Sequence, residues 1–161
     1  KKGIILAGGT GSRMSPLTKA VNKQLLPLYD KPLIYYPLSV LLLAGIRNIL
    51  IIVNKGQLSQ FKKILPIKNN LGIKIQYKEQ NKPGGLPEAF IIGEDFIGSD
   101  NIALILGDNF FYGQNLSTRL KNSVKLKSGA QVFLHPVNNP TLYGVATINK
   151  KIIPTSNHSV V

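Results

Sequence analysis

The glycine-rich segment after the first apolar run is the clearest candidate for phosphate chemistry in this sequence. Gly8, Gly9 and Gly11 follow the apolar residues 3–7 and lead directly into Ser12-Arg13. Because glycine has no Cβ atom, the backbone can turn with positive φ there and come close to a ligand. Successive N–H groups in such a turn can bind an anion. On its own, the segment is also compatible with a glycine-rich turn that has no ligand.

Two familiar phosphate-binding motifs do not fit this segment. It begins like the dinucleotide fingerprint G-x-G-x-x-G, but Met14 stands where the third glycine is required. A Walker loop would end in Gly-Lys-Ser or Gly-Lys-Thr, which the segment lacks. The sequence therefore predicts an anion-binding turn of another kind, with Arg13 as its nearby cation.

Asp108 is the acidic residue whose position most favours a functional role. The chain has 7 acidic residues, and Asp108 is the one that follows an apolar run, 102–106, through Gly107. A carboxylate at the end of a buried strand is costly unless it is exposed in a cleft, paired or bound to a metal. Nucleotide-bound Mg²⁺ takes one or two carboxylates besides phosphate and water. A turn or helix-cap Asp is the alternative, and His135 and His158 lack metal-ligand spacing.

The elements that must position these residues alternate between strands and helices. This alternation predicts an α/β fold with an open, mostly parallel sheet and right-handed crossovers. Such a sheet binds ligands beyond the carboxyl ends of its strands, where the glycine segment and Asp108 both fall. We predict strands at 3–7, 49–53, 73–77, 102–106 and 130–134, and helices at 33–44, 57–65, 86–96 and 116–126.

Composition narrows the classes of function further. The 161 residues suffice for one domain, and the absence of cysteine excludes disulfides, zinc–thiolate sites and a cysteine nucleophile. The apolar stretches 38–46 and 49–53 are too short to cross a bilayer, and the N-terminal run is too short for a signal peptide. The net charge of +13 suggests an anionic partner, either nucleic acid or a phosphate-rich small molecule. The lysines are spread along the chain without a compact basic run, which is typical of solvated surface.

Taken together, the motifs resemble those of the sugar nucleotidyltransferases. The pattern G-G-x-G-x-R ends at Arg13, and the run K-Q-L-L-P begins at Lys23. The run D-K-P from Asp30 and the run I-Y-Y-P-L from Ile34 look like the thymidylyltransferase branch. The resemblance implies a three-layer, Rossmann-like nucleotidyltransferase fold. It also implies transfer of a thymidylyl group from dTTP to glucose 1-phosphate with release of pyrophosphate.

The same resemblance implies roles for individual residues. Arg13 and Lys23 would be catalytic by neutralising the phosphates, and Asp108, in the G-D-N segment, would bind Mg²⁺. Tyr143 and Gly144, in a Y-G-V segment, would contact the sugar phosphate. Gln24 and Gln80 would read the base, since an amide offers a donor and an acceptor to a pyrimidine imide edge. The implied nucleotide-binding set is Leu6, Gly8, Gly9, Gly11, Ser12, Gln24, Gln80 and Gly85.

The sequence departs from the family pattern in two places. Gly84, Pro87 and Glu88 replace more typical residues in the base-reading segment, which leaves a UTP-using transferase open. After Ile153 the family continues into an acid-rich E-E-K-P segment, whereas this chain jumps to residues from Pro154 that look like a later stretch. We therefore expect one nucleotidyltransferase domain, 1–161, whose sugar-binding C-terminal part is incomplete.

Three functions remain open besides dTTP-dependent transfer to glucose 1-phosphate: a UTP-using enzyme, an inactive nucleotide-binding fragment and a nucleic-acid-binding module. The last rests only on the charge. We expect small phosphorylated substrates, no nucleic acid or membrane partner, and a cytoplasmic location. By analogy with the family we also expect a homo-oligomer, usually a tetramer, and a role in dTDP-rhamnose-type nucleotide-sugar biosynthesis.

Overall fold

The fold is built on a four-stranded parallel sheet with the strand order β5-β4-β1-β6. The computed structural model describes residues 1–9, 11–139, 141 and 144–146. Two further short strands, β2 and β3, form an antiparallel hairpin. The strands are β1 (Lys2–Ala7), β2 (Pro27–Leu28), β3 (Lys31–Pro32), β4 (Asn48–Asn54), β5 (Lys74–Gln80) and β6 (Ile102–Leu106). The helices are α1 (Tyr35–Leu43), α2 (Leu58–Ile64), α3 (Leu86–Ile92), α4 (Glu94–Ile97) and α5 (Leu116–Ser123).

Helices cover both faces of the sheet, which makes three layers as predicted. Successive residues of a strand point to opposite faces, so Ile5 and Ile4 of β1 belong to different apolar clusters. The cluster around Ile5 includes residues of α1, α2 and α5, whereas the cluster around Ile4 includes residues of α3 and α4. Burial on both faces explains why β1 and β4 are almost continuously apolar.

The ends of the helices follow from particular residues. Pro37 lies in the first turn of α1, where its missing N–H breaks no helical hydrogen bond, and Gly45 follows the helix with φ 81°. The single helix predicted at 86–96 is instead two short helices. Gly93 separates them and is packed against Ile4 and Leu50 of the sheet. This break still allows Phe96 to be buried on that face.

The strand predicted at 130–134 is wrong. These residues form no strand, and Ala130, Gln131, Val132 and Leu134 are exposed. Phe133 alone is half-buried, with its ring edge-on to Phe111. The segment is largely apolar, as a strand would be. A strand also needs a neighbouring strand for its backbone hydrogen bonds, however, and the apolar pattern does not reveal whether such a neighbour is available. Among the described helices, none is long and apolar enough to cross a membrane.

The strand order fixes where a ligand can enter. The next strand of the sheet along the chain, β4, pairs with one side of β1, and the later strand β6 pairs with the other side of β1. A crevice opens at the carboxyl ends of the two strands where the order changes direction. The residues after Ala7 and after Leu106 therefore face each other across this crevice.

Candidate functional site

A cleft of about 280 Å³ lies at the carboxyl ends of β1 and β6. Parts of the chain that are far apart in sequence meet there: the glycine turn, the segment after Asn22 and the residue after Gly107. Its walls therefore carry both cations and a carboxylate. The lining residues are Leu6, Gly8, Gly9, Gly11, Ser12, Arg13, Met14, Lys23, Gln24, Leu106 and Asp108.

The turn that carries Arg13 depends on Gly11. Gly11 has φ 60°, and its carbonyl oxygen accepts hydrogen bonds from Met14 N at 2.9 Å and Thr18 Oγ1 at 2.8 Å. A Cβ atom at Gly11 would lie 2.7 Å from Thr18 Cγ2, so both the conformation and the space favour glycine. Ser12–Met14 then form one turn of 3-10 helix, with Arg13 exposed at the rim of the cleft.

The opposite wall is held by a buried asparagine. The side-chain Nδ2 of Asn22 donates to Ala7 O at 3.4 Å and to Gln57 Oε1 at 2.5 Å, and its Oδ1 accepts from Gln24 N at 2.8 Å. Asn22 is 4% exposed, so each of these bonds satisfies a group that water does not reach freely. This network fixes the short 3-10 helix Lys23–Leu25 against the end of β1.

Lys23 and Asp108 form an ion pair across the cleft. Lys23 Nζ lies 2.9 Å from Asp108 Oδ2, and both side chains are about one-third exposed, at 31% and 32%. Gly107 lets β6 end close to the other wall, because a Cβ there would lie 2.9 Å from Gln24 Cγ and 3.0 Å from Ala7 Cα. The pair thus brings the candidate metal ligand and the candidate phosphate-binding cation to one place.

Gln24 contributes a buried polar atom to the cleft. Its side-chain Oε1 accepts no hydrogen bond from any residue in the described part of the chain, although the residue lines the cleft. A buried acceptor left unpaired is destabilising and is uncommon in folded proteins. Oε1 could accept a hydrogen bond from a ligand N–H or O–H in the cleft.

Gln80 lies next to the cleft rather than in its lining. It is the last residue of β5 and is 2% exposed, and its Nε2 donates to Asn54 Oδ1 at 2.9 Å. An added Cβ at Gly8 would lie only 1.8 Å from Gln80 Nε2, so the amide lies directly against the glycine turn. Asn54 Nδ2 in turn donates to Gly9 O at 3.2 Å.

The structure brings most of the predicted site residues together. Leu6, Arg13, Asp108 and the other members of the cleft lining share one pocket. Gly85, with φ 87°, precedes α3 and is exposed outside this lining, as is Gly144. Tyr143 lies outside the described residues.

Sequence reasoning missed two residues that hold the site, Asn22 and Asn54. Asn54 ends the apolar strand β4 just as Asp108 follows β6, so the rule that singled out Asp108 could have found it. Asn22 directly precedes the K-Q-L-L-P run, but a buried structural amide has no distinctive sequence signal. Met14 and Leu106 also line the cleft without having been predicted.

Comparison with known proteins agrees with this geometry. Residues 2–158 match the family model described as nucleotidyl transferase. A glucose-1-phosphate thymidylyltransferase from Neisseria meningitidis is 54% identical over 149 residues, which are 92% of this chain and 52% of that protein. The chain therefore spans about half the length of the curated relatives it matches.

Solved structures show the same fold. A Bacillus anthracis crystal structure, assigned as a glucose-1-phosphate thymidylyltransferase and containing sucrose, has a TM-score of 0.84 and 40% identity, covering 92% of this chain and 60% of the other. A UDP-glucose pyrophosphorylase bound to UDP-glucose has a TM-score of 0.63 and 29% identity, covering 77% of this chain and 51% of the other. This chain belongs to the nucleotidyl transferase family.

Proposed function

We propose that the chain carries the nucleotide-binding part of a glucose-1-phosphate thymidylyltransferase. The reaction would transfer a thymidylyl group from dTTP to glucose 1-phosphate, giving dTDP-glucose and pyrophosphate. The observation that carries the proposal is the meeting of the glycine turn, Arg13, Lys23 and Asp108 in one cleft. The names of the relatives support the choice of substrates.

The chemistry needs charge neutralisation more than a strong base. An oxygen of the sugar phosphate, already ionised at neutral pH, attacks the α-phosphorus of dTTP. A new P–O bond forms as the bond from the α-phosphorus to the bridging oxygen breaks, and pyrophosphate leaves with that electron pair. Bringing two polyanions together is the main difficulty, and positioning with positive charge supplies most of the catalysis in such transfers. Arg13, Lys23 and the turn amides provide that charge in the proposal.

Asp108 is the residue we propose to hold Mg²⁺. Within the described part of the chain, no three acidic or histidine side chains are close enough to form a metal site by themselves. One carboxylate nevertheless fits nucleotide-bound magnesium, whose other ligands are phosphate oxygens and water. When bound, the ion would neutralise charge on the phosphates. Lys23 would keep Asp108 oriented toward the cleft through the 2.9 Å ion pair.

The base would lie beside the glycine turn, near Gln24 and Gln80. The unpaired Oε1 of Gln24 suits a ligand donor such as an imide N–H or a ribose hydroxyl. Gln80 is held against Gly8, so a base stacked over that turn would meet its amide. Gly85 is proposed to add backbone groups, and Tyr143 and Gly144 to contact the sugar phosphate.

A UTP-using transferase is the second candidate. The fold similarity to a UDP-glucose pyrophosphorylase favours it, as do the atypical residues Gly84, Pro87 and Glu88. Thymine and uracil present the same imide edge, so the amides described above suit both bases.

Wider features of the proposal follow the family resemblance. They are a place in dTDP-rhamnose-type nucleotide-sugar biosynthesis, assembly as a homo-oligomer such as a tetramer, and a cytoplasmic location, where dTTP and glucose 1-phosphate are available. Size-exclusion chromatography with light scattering measures the oligomeric state directly.

The proposed function is tested by pyrophosphate release from the 161-residue chain. We expect release that requires glucose 1-phosphate and Mg²⁺ and that is faster with dTTP than with UTP. Faster release with UTP would favour the second candidate. Binding of dTTP without any release would identify a nucleotide-binding fragment. Salt-dependent binding of DNA or RNA without dTTP binding would contradict the proposal.

A further inference from the structure

We propose that Asn54 is a positioning residue that sets the orientation of the Gln80 amide and thereby excludes cytosine. This inference rests on the proposed binding of a pyrimidine nucleotide. It concerns the selection of the base by a residue that would not itself touch the nucleotide.

The contact that carries the inference is a chain of two side-chain hydrogen bonds. Gln80 Nε2 donates to Asn54 Oδ1 at 2.9 Å, and Asn54 Nδ2 donates to Gly9 O at 3.2 Å. The chain therefore joins the proposed base reader to the proposed phosphate-binding turn. The two amide residues are direct partners in the pairing of β4 with β5, and Lys55 N also donates to Gln80 O at 3.0 Å.

The direction of every hydrogen bond in this chain is fixed by the Gly9 carbonyl. A carbonyl oxygen can only accept, so Asn54 must turn its NH₂ group toward Gly9. Asn54 then presents its own oxygen to Gln80, and that oxygen can only accept as well. Gln80 must therefore turn its NH₂ group toward Asn54. One backbone oxygen thus determines the orientation of two side-chain amides.

Little space remains for Gln80 to turn over. The residue is 2% exposed, and its amide lies so close to Gly8 that a Cβ there would overlap Nε2. If Gln80 reversed its amide, Oε1 would face Asn54 Oδ1, and two acceptors would oppose each other without a proton between them. An unsatisfied buried pair of this kind is destabilising. The observed orientation is therefore strongly preferred.

A fixed amide distinguishes thymine and uracil from cytosine. Thymine and uracil offer an N3–H donor beside the O4 acceptor, whereas cytosine offers an N3 acceptor beside an N4 amino donor. The hydrogen bond to Asn54 uses one of the two N–H groups on Nε2 and does not involve Oε1. The other N–H can donate to O4 while Oε1 accepts from N3–H. Cytosine would require the reversed amide, which Asn54 disfavours.

The test measures the binding of dTTP and dCTP by calorimetry and takes the ratio of their dissociation constants. Because both nucleotides carry the same triphosphate, the ratio cancels changes at the phosphate end. We expect Asn54→Leu, which removes both hydrogen bonds, to reduce the preference for dTTP about tenfold, the size of one oriented hydrogen bond. Asn54→Asp keeps an acceptor for Gln80 and should retain the preference, even though its charge weakens binding of both nucleotides.

Controls separate this role from a general loss of structure. Asn122→Leu, at an exposed position of α5, should leave both affinities unchanged. Thermal unfolding checks that Asn54→Leu is folded. If it is not, Asn54→Ala, which also removes both hydrogen bonds, takes its place with the same expected loss of preference.

Two results would overturn the inference alone: an unchanged dTTP preference in Asn54→Leu, or an equal loss in Asn54→Asp. If the unsubstituted chain binds neither nucleotide, the proposed function fails and the inference fails with it.

Discussion

The two walls of the cleft are built in opposite ways. The wall that carries Arg13 is one exposed 3-10 turn, tied down mainly through Gly11 and Thr18. The wall that carries Lys23 is anchored by Asn22 and Gln24, each 4% exposed. The positive charge of Arg13 thus lies on an exposed turn with few tertiary hydrogen bonds, whereas that of Lys23 lies beside a buried network of amide side chains. Mutations of the charged residues should therefore affect activity, and mutations of the buried amides should affect stability.

The largest expected effect comes from removing the cations. We predict that Arg13→Ala and Lys23→Ala each lower turnover by more than tenfold, because each removes positive charge from the proposed transition state. Steady-state pyrophosphate release with dTTP and glucose 1-phosphate measures this. Circular dichroism should show that both variants are folded.

Conservative variants sharpen this prediction. Arg13→Lys and Lys23→Arg keep the charge and should recover part of the activity. Turnover that stays at the unsubstituted level in both alanine variants would remove these residues from the mechanism.

An intermediate effect is expected on the free energy of unfolding, which should fall more when a residue of the buried wall is changed than when a residue of the exposed wall is changed. Asn22→Leu removes hydrogen bonds to Ala7, Gln57 and Gln24 in a buried position, so we expect a loss of about 1–3 kcal/mol in the free energy of unfolding. Ser12→Ala, on the exposed wall, should change it by less than about 0.5 kcal/mol. Urea denaturation measures both variants, and equal losses would contradict the contrast between the walls.

The smallest effect is expected at the opposite end of the same two strands. Lys2 Nζ lies 2.9 Å from Asp100 Oδ2, and this contact lowers the pKa of Asp100. A lowered pKa stabilises the fold above the unfolded-state value of about 3.9, and the contribution disappears as pH falls through the folded-state pKa.

Asp100→Asn should therefore reduce stability slightly at pH 7, and the difference from the unsubstituted chain should shrink in acid. Thermal unfolding between neutral and acidic pH follows this change. Binding of dTTP should be unaffected, and a weakened affinity would mean that the two ends of the strands are coupled.

Much of the fold follows from local patterns. The apolar runs of β1 and β4 are buried on both faces, and that of β6 is at least partly buried along its length, so their sequences identify them with little ambiguity. The break at Gly93 and the unpaired residues 130–134 were not predictable, because they depend on the packing surface or partner strand available in three dimensions.

The candidate site, like the fold, has some residues that could be predicted from the sequence and others that could not. Glycines and charged residues at strand ends are visible in the sequence, and so Gly11, Arg13 and Asp108 could be selected. The amide network could not, since Asn22 and Asn54 owe their roles to partners distant in the chain. Which polar residue is buried, and against which carbonyl, is decided only when the strands pair.

The position of β6 beside β1 has a consequence for the stability of the folded sheet. Residues near the start of the chain meet Asp108 only after β6 has joined β1 on the side away from β4. A nucleotide held at this junction would connect the first and last strands of the described sheet. A bound nucleotide would thus stabilise the pairing of β6 with β1. The unfolding temperature should then rise with nucleotide concentration, because the nucleotide binds only the folded sheet.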